Sequence, residues 1–203
     1  MSHGADGGAF WLLVLSWWAM MVVMMVPVTW PWLRTLARLT QGKGQGASAV
    51  PFRVFGSFLA GYLLVWLGFS VGAAGIQISL APGGSMAPVA QAGILMAAGL
   101  YQLTPAKDAC LKHCRSPMSV LLSRWPLEGL QVGRMGVEHG LFCLGCCWAL
   151  MLLGVGAGTA GWLWMAGLVV LVAAEKLAPS GPRIGRVVGW GLVGGALATF
   201  WVP

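Results

Sequence analysis

The stretch EHGLFCLGCCWALM, Glu138–Met151, places a glutamate, a histidine and three cysteines in a run that is otherwise apolar. Wound as a helix at about 100° per residue, it gathers His139, Cys143, Cys146 and Cys147 into one arc of roughly 100°. Glu138 points to a different side. The rise from His139 to Cys147 is about 12 Å, so the row runs from near a helix end toward its middle. Cys146 and Cys147 are adjacent and diverge by about 100°, so one ion is expected to use one of them while the other packs. Whether such a helix stands in water or in lipid decides the fold.

Composition answers that. Of 203 residues, 58% are hydrophobic and 8% charged, with 31 Gly and 12 Trp. A soluble domain carries about 25% charged residues, so this chain has too few to cover a water-facing surface. The expectation is an all-α, polytopic membrane helix bundle forming a single transmembrane domain over residues 1–203. Six spans of roughly the 17–25 residues a bilayer needs fall at about Phe10–Trp32, Phe52–Leu80, Ala87–Leu103, Gly136–Val155, Trp162–Ala178 and Val187–Val202. The N-terminal MSHGADGG has no basic residue before the first apolar run, so a cleavable signal peptide is not expected. In GWGLVGGA, Gly191 and Gly195 have the small-xxx-small spacing of a close helix contact. Trp162, Trp164 and Trp201 fit an outer aromatic belt.

All 12 Lys and Arg fall in or beside the segments 33–51, 104–135 and 179–186, and the other side has none. The positive-inside rule then makes those segments cytoplasmic and puts both termini outside, in a bacterial inner membrane. The net charge of +7 is thus topology, and nucleic acid is not an expected partner. The cytoplasm is reducing, which argues against structural disulfides.

The segment YQLTPAKDACLKHCRSPM, Tyr101–Met118, adds a second cluster. Pro105 closes the third span, and Cys110, His113 and Cys114 share a face at i, i+3, i+4. Asp108 reads as a solvated loop or cap residue. Ser116 and Pro117 suit an N-cap and first turn, and Met118, Leu121, Leu122 and Trp125 form the stripe of a short interfacial helix. Together the two segments hold every Cys of the chain and every His except His3.

A single membrane Cys is ordinarily a packing residue. Histidine inside a membrane is costly and faces a partner or water. Five thiols and two imidazoles at ligand spacing favour a transition-metal site of Cys110, His113, Cys114, His139, Cys143, Cys146 and Cys147. Met21, Met24 and Met25 in WWAMMVVMMVP, together with Glu138 and Glu175, are candidate supporting residues. The methionines read first as flexible core filler beside aromatics. Glu175 is followed by Lys176, which suggests a boundary ion pair, with a metal-supporting or proton-relay role as the alternative. Thiolates, imidazoles and thioethers favour copper(I); zinc ligation by Cys and His is the other choice.

HGLFCLGCCWALM, YQLTPAKDACLKHCRSPM and AEKLAP together resemble a bacterial family of unknown function, described as predicted metal-binding integral membrane proteins. WWAMMVVMMVP resembles its Trp-then-Ala-Met-Met-Pro segment, with Val23 where the family pattern has alanine. The resemblance implies metal binding at the seven Cys and His positions already named.

The favoured function is copper handling, delivery or metalloenzyme assembly, with membrane lipid, a metallochaperone or a larger membrane complex as partners. Two alternatives stand beside it: a structural or accessory subunit of a membrane complex, and a membrane thiol-redox protein using Cys110/Cys114 and Cys143/Cys146. Enzyme activity is not the expectation, since no nucleotide motif or Ser/His/Asp arrangement occurs; a redox-metal oxidase inside the bundle is the enzymatic reading the residues leave open.

Overall fold

The structure, a computed structural model, describes residues 3–41, 52–80, 86–123, 129–157 and 162–201. Among these there is no strand, and the chain is all-α. The helices are α1 (His3–Val28), α2 (Trp30–Gln41), α3 (Phe52–Leu80), α4 (Pro88–Gln102), α5 (Pro105–Cys114), α6 (Pro117–Ser123), α7 (Gly129–Ala157), α8 (Trp162–Leu177) and α9 (Gly181–Trp201).

Three stretches are both long and apolar enough to cross a membrane: Gly7–Val28, Arg53–Leu80 and Leu130–Val155. The first ends earlier than the run to Trp32 expected from hydropathy. Pro31 lacks an N–H and its ring crowds the carbonyl four residues back, so the chain breaks at Thr29 and restarts as α2. At the break the buried Thr29 hydroxyl donates back to the Met25 carbonyl of α1 at 2.7 Å. The fourth expected span begins earlier than Gly136, at Gly129 in α7.

The centre of the bundle is α7. Its most apolar window is 56% buried, against 28% for those of α1 and α3. It runs parallel to α3, and glycine sets how closely they meet. A Cβ on Gly136 would collide with the Phe58 backbone, and one on Gly61 with the Gly133 carbonyl. Gly140 sits against Val65 in the same seam. Gly136→Ala is expected to force α3 and α7 apart and to cost roughly 1–3 kcal/mol. Thermal unfolding in detergent checks this, with Gly68→Ala, where a Cβ meets nothing within 4 Å, as the control that keeps wild-type stability.

The close contact expected of Gly191 and Gly195 is found elsewhere: neither has a neighbour within 4 Å of a built Cβ. Gly189, two residues before Gly191, packs against Gly99, Gln102 and Leu103, which joins α9 to α4 in antiparallel fashion. The stripe assigned to α6 is split. Leu121 is buried with Trp32, Leu36 and Phe58, while Met118 and Leu122 face outward. Trp125 and the side chains of Trp162, Trp164 and Trp201 lie outside the described residues.

Two proline-led helix starts place the functional residues. Pro88 opens α4, and Pro105 opens α5 behind Thr104, whose hydroxyl accepts from the Lys107 backbone N–H at 3.4 Å. Asp108 lies in the first turn of α5, where a carboxylate complements the helix dipole. At the far end of α8, Arg115 donates to the Glu175 and Ala178 carbonyls at 2.9 and 2.6 Å, capping groups that would otherwise have no helical partner.

Candidate metal centre

Helix α5 lies antiparallel along α7, which carries Cys114 to Cys143. Leu111 is buried in the same core, and the Trp32 indole N–H donates to the Cys114 carbonyl at 2.8 Å, fixing the C-terminal turn of α5. Four sulfurs therefore meet: Cys114 from α5, and Cys143, Cys146 and Cys147 from α7. All four are free and buried. Cys143 is the hub. The Tyr62 hydroxyl stands 3.0 Å from its Sγ, and the Lys176 ammonium donates to it at 2.7 Å. Both neighbouring thiols turn back on the same residue: Cys146 and Cys147 donate to the Cys143 carbonyl at 3.1 and 2.9 Å. Hydrogen bonding with the Cys143 and Cys146 sulfurs, together with burial, holds the Cys114 thiol well above its ordinary pKa.

His139 lies one turn before Cys143, in a cage of rings. Its centroid is 4.1 Å from that of Trp32, 5.5 Å from Tyr62 and 5.9 Å from Phe58. It is buried, and its Nδ1 has no hydrogen-bond partner. A buried imidazole nitrogen left unmatched is costly, and it is a donor atom free to take a ligand. A cavity of about 270 Å³ opens beside it, lined by Thr29, Trp32, Tyr62, Cys114, Arg115, His139 and Lys176 among others. The cavity therefore touches a thiol, the unmatched imidazole and the lysine that grips Cys143.

Other candidates from the sequence stand apart from this hub. Cys110 packs against Gly145, and partial burial pushes its thiol up. The His113 ring is stacked on Phe142, with centroids 3.7 Å apart. Glu138 pairs with Arg134 at 3.4 Å on a partly exposed face. Met21, Met24 and Met25 are fully buried in the core cluster that also holds Cys143, Cys146 and Cys147.

Glu175 and Lys176 do not form the boundary ion pair expected of them. Successive helical residues diverge by about 100°, and each finds a separate partner. Glu175 binds Lys107 at 2.7 Å and accepts from the Gln102 amide at 3.1 Å, while the Lys107 ammonium also donates to the Gln102 carbonyl oxygen. Lys176 turns to Cys143 and, at 4.0 Å, to Cys147. Sequence reasoning missed Lys176, Lys107 and Tyr62 as neighbours of the chemistry. The one available signal was that a lysine buried in so apolar a chain demands an anionic or sulfur partner.

Among the described residues, no group of three or more His, Cys, Asp or Glu side chains is arranged to hold a metal ion as it stands. The hub sulfur faces an ammonium and a phenol hydroxyl, and two of the other thiols are turned onto a carbonyl. The four sulfurs nonetheless belong to one buried cluster.

Comparison with known proteins places the chain. It matches the PpoB2 family, described as copper chaperones, over residues 14–199, and it belongs to that family. No curated protein and no solved structure matches it. The motifs resemble metal-binding proteins of unknown function, and the description of the matched family names copper.

Proposed function

We propose that this member of the copper chaperone family is an integral membrane protein that carries copper(I) as cargo at the α5–α7 sulfur cluster and passes it to an acceptor. Cys143 is the central ligand, with Cys114 and one of Cys146 and Cys147 beside it, and His139 Nδ1 as an imidazole donor. The meeting of four buried thiols next to an unmatched imidazole nitrogen carries the reading. Soft sulfur donors select copper(I). A monovalent ion bound by few thiolates also leaves little net charge in an apolar interior, whereas zinc with four thiolates would leave a doubly negative centre. Cys110, His113 and the methionines would then serve the approach or the walls of the site.

The membrane assignment rests on three long apolar helices and on apolar side chains that face outward along them, such as Trp11, Leu12, Val23 and Leu64. In this reading α4, α8 and α9 complete a six-span bundle. The parallel α3/α7 pair and the antiparallel α4/α9 pair have the directions that alternate crossings require. The basic α5–α6 segment would then face the cytoplasm and both termini the outside.

Protein purified in mild detergent and loaded anaerobically with copper(I) tests the proposal. It should retain a stoichiometric copper ion through gel filtration, with sulfur ligation in its X-ray absorption spectrum. Retention of zinc instead would change the cargo, and retention of neither would reject the site.

A further inference from the structure

Lys176 cannot be a ligand, because an ammonium has no lone pair to give, yet it sits at the hub of the sulfur cluster. It is 9% exposed, and its Nζ lies 2.7 Å from Cys143 Sγ and 4.0 Å from Cys147 Sγ. The carboxylate next to it in the chain is engaged elsewhere, since Glu175 pairs with Lys107. A buried cation must be compensated, and here the compensating atom is the sulfur that would also receive the metal. Two monocations drawn to one sulfur within a few ångströms repel strongly in such a medium. Arg115, also at the cavity, is held by the Glu175 and Ala178 carbonyls, so Lys176 is the cation aimed at the thiols.

Building on the copper reading above, we propose that Lys176 is an internal competitor of copper(I): its ammonium and the metal exclude one another at Cys143, and this exclusion keeps the ion transferable. The flexible four-carbon stem of a lysine lets the head move without moving α8. The cavity of about 270 Å³ that Lys176 lines gives it a place to go when copper arrives. When an acceptor's thiolates draw the ion off, the ammonium returns and closes the sulfur to rebinding. A storage site gains nothing from such a competitor; a site that must release its cargo does.

Two measurements on detergent-purified protein test this. In competition against the copper(I) chelator bicinchoninate, Lys176→Leu, which brings no ligand of its own, should hold copper about tenfold or more tightly than wild type, and Lys176→Arg should stay near wild type. In the wild-type protein, acylation of Lys176 by acetic anhydride, read by mass spectrometry, should rise several-fold on copper loading. Equal or weaker copper binding by Lys176→Leu, or labelling indifferent to copper, overturns the proposal. If Lys176→Leu does not fold, the wild-type labelling decides alone. Stoichiometric copper with unchanged labelling rejects the lysine's role and leaves the copper site standing, whereas a wild-type protein that takes up no copper rejects both.

Discussion

Serine in place of Cys143 is expected to strip the protein of copper. Several groups meet at Cys143: Tyr62 at 3.0 Å, Lys176 at 2.7 Å, and the thiols of Cys146 and Cys147 returning to the residue's own carbonyl. Losing an outer-shell partner of a metal ligand costs roughly 10–100-fold in affinity, and losing the central sulfur should exceed the upper end of that range. The fold should survive, because a buried serine can bond to the carbonyl one turn back in its helix, as Thr29 and Ser70 do here. Chelator competition and copper retained after gel filtration measure the effect. Cys110→Ser is the contrast. Its sulfur packs on Gly145, away from the hub, so that variant should keep its copper. Copper retained by Cys143→Ser would mean that the ion sits elsewhere.

The second large effect concerns stability. Lys107 and Glu175 are 1% and 2% exposed and joined at 2.7 Å, with Gln102 completing the triad. Lys107→Met should leave the Glu175 carboxylate buried without its cation and cost about 3–5 kcal/mol. The double variant Lys107→Met/Glu175→Leu should recover most of that, since apolar replacements of a buried pair are often neutral or better. Thermal unfolding in detergent, comparing wild type, single and double variants, gives the order. A Lys107→Met variant as stable as wild type would show that the pair contributes nothing. Glu175 and Lys176 are consecutive on α8, so the triad also helps set where the Lys176 ammonium is held.

Much of this was readable from composition and helical spacing. An apolar chain poor in charge had to be helical if it crosses lipid, and the three-four spacing of Cys143, Cys146 and Cys147 put them near one side of α7. Their convergence with Cys114 followed from nothing in the spacing alone. It depends on α5 folding back along α7, which the Thr104–Pro105 start permits and the Trp32–Cys114 bond fixes. The same geometry separates Cys110 from Cys114, although the two share a helical face, because an antiparallel α5 carries Cys110 along α7 toward Gly145. Lys107 and Glu175 are 68 residues apart in sequence, and no local pattern announces such a pair. Adjacent Glu175 and Lys176 suggested the wrong one, since charge alone does not say which way each side chain leaves the helix. The number of crossings was less legible still. The helices α4 and α8 have 15 and 16 residues, a length at which a membrane span and a buried core helix look alike.

The seam between α3 and α7 has a consequence for how this protein can vary. Gly133, Gly136 and Gly140 let the two helices touch, and Cys143 and Cys147 continue the same alternating steps of three and four. Packing seam and thiol cluster are thus written in one register. A single residue inserted or deleted between Gly136 and Cys143 would turn everything beyond it by about 100°, and no rotamer could restore both ends. Residues within that stretch can be exchanged, but its length cannot drift: lineages that keep the thiols in use must also keep the count.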